Sequence, residues 1–579
     1  MRKAIGAAVA AVLASTTAHA DTVIGTRFDL TERTDAIAVS VDRGVATLVV
    51  TRVVENAAPK SDQALFHLDL PAGAVATRLR TAGVDAKGQP IWFEGELLEA
   101  EEAAKRYHEL TGIGGYYPKD PALLSWRSQT HLALQVFPVP ARSQKTVEYR
   151  LEMPMTYEHG AYVVKLPPMG TEALPAKIHV AAAHADDRIE ANGVALAPTT
   201  TITATGDVAI RLEPRGALPI EGALASFGFA SDRNLVHARI AAAPKLSQTP
   251  AGASVVVLLD TSRSMDATLD SALAATRAYL ANFPGASVEV MTFDRKVRSP
   301  FGGPIPAKDA IAKLYAMPTT ANGSRLDDAL ARADASLARS PSSARRILLV
   351  TDLRTRAALD AATFSSRALA SGAIVHVATV TPGAPALARD DDSPWAALPR
   401  KTGGLLWRAT VQTPLDATGR AVFEEWVRPK RVEKIVVKGM PADFVPDGEL
   451  VEGEGFDYLG IATDAVKSVS FEGELWSRPV KWSAQPTEAE GKRWSALVFG
   501  SSLLDQLSEK EQMTLAMHGG AVSPVTSYLA IEPGVRPSTE GLDDAELGSI
   551  GGIGTGQGFG SGHGMMVGRH VSRIDRQQF

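Results

Sequence analysis

Residues 255–259, VVVLL, run apolar without a break and stop at Asp260; Thr261, Ser262, Arg263 and Ser264 come next. A short apolar run bounded in this way reads as a strand buried on both faces, the kind found inside a parallel sheet. A helical pattern follows at once, with Leu269, Leu273 and Leu280 on one face. One carboxylate and a row of hydroxyls therefore fall where a strand hands over to a helix. In an open α/β sheet that is the edge where ligands bind. All of these groups are hard oxygen donors, which suit a hard divalent cation.

The same pattern repeats downstream. Strand-like runs at 254–260, 287–294, 345–353 and 373–380 alternate with helical patterns near 267–282, 307–316, 325–339, 357–371 and 393–400. Such alternation predicts βαβ units, right-handed crossovers and a mostly parallel, Rossmann-like sheet, here spanning 252–412.

The rest of the chain reads differently. With 579 residues it is too long for one core. Residues 22–55 alternate apolar and polar, as antiparallel strands with one wet face do. The stretch 90–112 holds a helix, with Leu97, Ala100, Ala104, Tyr107 and Leu110 at helical spacing, Glu101–Lys105 and Glu102–Arg106 as i, i+4 pairs, and Gly112 as the stop. Residues 156–245 are again strand-like. Beyond the α/β unit, 413–536 is β-rich with a helical pair. Ser508 and Glu511 there form a capping box, Gly519-Gly520 a stop, and AVSPVTSYLAIEP one more strand. The tail, 537–579, is polar and glycine-rich, a composition that predicts disorder. The fold class expected is multidomain, α/β plus all-β.

The first twenty residues read as a signal peptide. Arg2 and Lys3 precede an apolar run, and Ala18-His19-Ala20 makes a cleavage site before Asp21. No later run is long enough to span a bilayer, and the chain has no cysteine. An exported, disulfide-free chain fits a bacterial periplasm or exterior. A net charge of -5 gives no reason to expect nucleic acid as partner.

Three loops of the α/β unit carry further oxygens to the edge marked by Asp260. Ser262 and Ser264 share the first loop, Ser324 precedes a helix in ANGSRLDDAL, and Asp352 closes the strand RILLVTD. Thr320 is a second hydroxyl on the middle loop. Mg²⁺ takes about six oxygens and keeps several waters. A ligand set made mainly of neutral hydroxyls leaves the ion under-neutralised and open to an outside carboxylate.

These residues resemble the metal-ion-dependent adhesion site of von Willebrand factor A domains, in which Asp-x-Ser-x-Ser is joined by a Thr and then an Asp, often followed by Gly. Asp260, Ser262 and Ser264 match directly, Ser324 stands at the Thr position and Asp352 at the second Asp. Leu353 replaces the usual Gly and makes the loop less permissive in φ. The stretches FHLDLPAGA, WFEGELLEAEEAAKRYHELTG and LQVFPVPARSQKTVEYRLEM resemble a VIT domain, the N-terminal module of inter-alpha-trypsin inhibitor heavy chains and their bacterial relatives. That resemblance implies a VIT β-sandwich over 21–155 ahead of the A domain.

Signatures of catalysis are missing. A haloacid-dehalogenase-type phosphatase needs a carboxylate where Ser262 stands, and neither His-Glu-x-x-His nor Gly-x-Ser-x-Gly occurs. His563 and His570 fall in the tail as spacers. The expectation is a non-enzymatic, adhesion-like binder of proteins, holding Mg²⁺ (or Mn²⁺ or Ca²⁺) and taking an Asp or Glu from its partner. The alternatives are a structural envelope protein whose hydroxyls serve as helix caps on a metal-free scaffold, and a metal-dependent hydrolase.

Overall fold

The computed structural model describes residues 22–84, 87–110, 119–170, 174–197, 200–216, 218–316, 319–356, 359–381, 386–411, 417–441 and 448–533. The expected signal peptide, the glycine-rich tail with His563 and His570, and Gly112 lie outside them.

The apolar run becomes the strand Ser254–Asp260, paired in parallel with Ser287–Phe293 on one side and Arg345–Thr351 on the other. Its side chains divide by parity. Val255, Val257 and Leu259 enter one core cluster and Val256 and Leu258 another, all of them at most 1% exposed. Each such side chain stabilises the fold by about 1.5–3 kcal/mol, so the strand is held from both faces. Ile374–Thr381 and Leu406–Thr410 extend the parallel set. The helices Leu269–Leu280 and Leu326–Ala338 supply opposite covers, through Tyr279 and Leu280 on one side and Leu326 and Leu330 on the other.

The helix expected over 357–371 is shorter, Ala361–Ser366. It ends where Arg367 turns extended, with φ -59 and ψ 134, and farther on the carboxylate of Asp334 accepts hydrogen bonds from the backbone N–H of Ala370 and of Ser371, each at 2.9 Å.

Two antiparallel strands bracket this unit in sequence. Arg233–Ala242, before the unit, pairs with Gly455–Ala462, after it, in a three-stranded sheet. A four-stranded sheet is built from strands on both sides of Gly455–Ala462 in the chain. In it, Val469–Leu475 and Arg478–Ala484 form a hairpin whose tip residue, Trp476, has φ +54 and is buried in the core of the α/β unit.

The N-terminal half builds a twelve-stranded sheet. Val45–Asn56 shows why it forms, since its residues alternate between buried and half-buried along the strand. Its helix, Ala100–Leu110, differs in detail from the sequence expectation. Leu97 belongs to the preceding strand, Pro90–Glu99, and the buried face is Ala103, Tyr107 and Leu110. Arg106 reaches back to Glu96 at 3.3 Å, not to Glu102.

Three described strands join this sheet from farther along the chain, among them Thr201–Thr203 at its edge. Lys177–Ala182 adds in parallel to Thr31–Asp42. Thr526–Pro533, the last described strand, lies between Pro90–Glu99 and Lys119–Ser128. Glu532 on this closing strand pairs with Lys145, both buried, and its carboxylate lies where a side chain on Gly83 would have to go. The preceding helix, Glu509–Gly519, has the expected Ser508–Glu511 capping box and ends at Gly520, φ +69.

Candidate metal centre

Parallel register sets Asp260 at the level of Phe293 on one neighbour, and Leu259 at the level of Val350 on the other. Asp260 and Thr351 thus leave the sheet together at its carboxyl edge. Asp260 is fully buried. Its Oδ1 accepts from the backbone N–H of Ser262 at 2.8 Å, and its Oδ2 accepts from the Thr351 hydroxyl at 2.6 Å. Burial pushes its carboxyl above the usual carboxylate range, and the nearby charge of Asp352 adds to the rise. A buried carboxylate beside a second one is an arrangement that a cation relieves.

The first loop is tied on both sides. Thr261 donates its N–H to Phe293 O at 3.0 Å, and Ala321 donates to Thr261 O at 2.9 Å. The second bond makes an isolated parallel bridge between Ser262 and Ala321, which brings the middle loop alongside Asp-x-Ser-x-Ser. Ser262 and Ser264 face each other, hydroxyl to hydroxyl, at 3.0 Å. Thr320 donates its hydroxyl to Asp266 at 2.8 Å. Gly323 has φ +96, and a Cβ on it would come within 2.6 Å of the Arg295 side chain, so the loop passes there only as glycine.

Ser324 and Asp352 stand apart from this network. The Ser324 hydroxyl is buried and makes no hydrogen bond, and it caps no helix, because the next helix begins after Arg325 without a side-chain cap. Ser262 likewise makes no capping bond to the 3₁₀ turn that follows it. Asp352 accepts from the backbone N–H of Arg354 through Oδ1, at 3.0 Å, while its Oδ2 is buried without a hydrogen bond. Arg354 Nε lies 3.8 Å from that oxygen, a long ion pair. Leu353 sits at φ +59 and its N–H is held by the Thr351 hydroxyl at 3.0 Å. Leucine there takes the backbone conformation that the glycine would have taken.

A buried hydroxyl and a buried carboxylate oxygen without hydrogen bonds are costly unless something binds them. The donor set is all oxygen, with two negative charges, and fits a hard divalent ion. Among the described residues no group of three or more His, Cys, Asp and Glu could hold a metal, so hydroxyls would have to complete the shell. Sequence reasoning missed Thr351, which orients Asp260 and Leu353 at once. Its place immediately before Asp352, at the end of a strand, was the available signal.

Residues 255–354 match the family model of the von Willebrand factor type A domain. No curated protein matches the chain. Solved structures similar to it include an aerotolerance-related membrane protein from Bacteroides fragilis, 17% identical, covering 30% of this chain and 98% of its own, with a TM-score of 0.24. A von Willebrand factor type A protein from Catenulispora acidiphila is 14% identical, covering 53% and 88%, with a TM-score of 0.26. BatB from Bacteroides thetaiotaomicron is 16% identical, covering 30% and 97%, with a TM-score of 0.23.

Proposed function

We propose, from the premise that residues 255–354 are a von Willebrand factor type A domain, that the chain is an exported, non-enzymatic protein that binds another protein through a divalent cation. Asp260, Ser262, Ser264, Ser324 and Asp352 would hold Mg²⁺, or Mn²⁺ or Ca²⁺ in its place. The ion supplies a Lewis-acidic position for a carboxylate, and the partner's Asp or Glu fills it. What carries the reading is the pair of buried atoms that make no hydrogen bond, Ser324 Oγ and Asp352 Oδ2, on the loops beside the sheet edge where Asp260 emerges. A metal-free scaffold would use these hydroxyls as helix caps, and neither Ser262 nor Ser324 makes such a bond.

The remaining expectations join this proposal. The β-rich N-terminal half with its one helix fits a VIT module over 21–155. Export follows from the signal peptide read in residues 1–20, to a periplasmic or secreted location. No helix among the described residues is long and apolar enough to cross a membrane.

Saturating Mg²⁺, at a hundredfold excess over its Kd, should stabilise the α/β unit by about 2.7 kcal/mol. That corresponds to a rise of roughly 5–10 °C in its Tm. Asp260→Ala should abolish the rise. If calorimetry shows no shift with Mg²⁺, Mn²⁺ or Ca²⁺ in the wild type, the metal reading fails.

A further inference from the structure

The loops around the candidate centre segregate charge by depth. Asp260 and Asp294 are buried, and the Asp352 side chain is 16% exposed. The cations point outward: Arg263, Arg295, Lys296, Arg325, Arg354 and Arg356 are all exposed. Two of them are committed sideways, Arg325 to Asp328 and Arg356 to Asp327. Of the other four, only Arg354 has an acidic neighbour, the long ion pair to Asp352. Among the described residues the side chains of Arg263, Arg295 and Lys296 have no carboxylate partner. Arg354 is 77% exposed and only 3.8 Å distant from the buried oxygen of Asp352.

Their positions are fixed by the backbone. Arg263 lies between Ser262 and Ser264. Arg295 packs against Gly323, next to Ser324. Lys296 occupies the turn whose amide is held by Asp294 at 2.8 Å. Arg354 follows Asp352 by two residues. The four cations therefore come from three of the loops that carry or border the candidate ligands, Arg263 from the first, Arg295 and Lys296 from the second and Arg354 from the last. The only exposed acid on the loops 260–266, 294–298, 319–325 and 352–356 is Asp266, which is engaged by Thr320. This rim stands on a chain whose net charge is -5, so the basic character is local to the site.

Building on the metal reading, we propose that this surface takes an acidic segment of a protein partner. One carboxylate of the segment sits at the cation, and neighbouring carboxylates reach Arg263, Arg295, Lys296 and Arg354. A single Asp or Glu on an otherwise neutral surface would leave those cations unmatched. A nucleic acid fits less well, because the four loops carry no aromatic side chain on which a base could stack. Exposed rim charges act mainly on the association rate and on salt dependence, and each is worth little alone.

The test uses the full chain and a fluorescein-labelled hexaglutamate peptide, read by anisotropy at low salt in Mg²⁺ and in EDTA. The expected result is Mg²⁺-dependent binding that weakens with salt. In Arg295→Glu/Lys296→Glu it should fall about tenfold or more, with a smaller loss in Arg295→Gln/Lys296→Gln, while both variants keep the Mg²⁺-induced rise in Tm. Absence of peptide binding by a wild type that still shows the metal shift overturns the inference and leaves the metal reading standing. Equal binding in EDTA, with no metal shift, overturns both. Tighter binding of single-stranded oligothymidylate or heparin than of the peptide, indifferent to Mg²⁺, overturns it in favour of a general polyanion surface.

Discussion

Leu353 shows how much a single residue at the candidate site tolerates. A leucine in the left-handed region carries about 1–2 kcal/mol of strain. Its side chain, partly buried against the core cluster on that face of the sheet, returns a similar amount, so the loop keeps a glycine-like path with an apolar residue on it. Replacing it tests that balance. Leu353→Gly should change stability by less than about 1 kcal/mol, because relief of strain offsets the lost packing. Leu353→Val, which keeps apolar bulk but is β-branched, should cost roughly 1–2 kcal/mol. Urea denaturation of the two variants, followed by a probe in the α/β unit, distinguishes them. At this scale the sequence was informative about position and silent about partners. Asp260, Ser262 and Ser264 were legible because they follow a run that only a buried strand explains. That Thr351 grips Asp260 depends on a register between two strands ninety residues apart, and no local pattern encodes it.

At the scale of elements, alternation of strand and helix was enough to place the parallel sheet, since each segment carries its own period. Lengths were less legible: Ala361–Ser366 stops at an extended Arg367, and the chain beyond it is held by Asp334 from another helix, a contact no local pattern encodes. The hairpin Val469–Leu475 and Arg478–Ala484 had no address in the sequence at all. Its tip residue, Trp476, meets His376 edge-on at 4.6 Å within the α/β core. His376 is itself buried. Its Nδ1 accepts from the Leu405 N–H at 3.1 Å, and burial lowers its pKa to about 3, so it remains neutral. Ser477 adds a hydrogen bond to Gly404 O at 3.0 Å. Trp476→Ala removes a large buried ring and should cost about 3 kcal/mol. In calorimetry that appears as a fall of roughly 6–12 °C in the Tm of the α/β unit. If the ring is a passenger, the Tm will not move.

Over the whole molecule, the pairing that organises the N-terminal sheet joins residues more than four hundred positions apart, and such closure is invisible to any window of sequence. Lys145 and Glu532 show its energetic side. Breaking a buried pair by removing one charge costs about 3–5 kcal/mol, whereas replacing both with apolar residues is often neutral. Glu532→Gln should therefore lower the urea midpoint of the N-terminal half strongly, and Lys145→Met/Glu532→Leu should restore most of it. A double variant as unstable as the single one would mean that the strand is held by something other than this pair.

The closing strand also sets an order in time. Pro90–Glu99 and Lys119–Ser128 are synthesised early, yet the neighbour that separates and pairs with both of them is Thr526–Pro533. Until the last part of the chain has left the ribosome, these two strands have open edges and the sheet is unfinished. A polypeptide built this way is committed to its fold only after nearly all of it exists, which keeps the first half loose for as long as the second half is still being made.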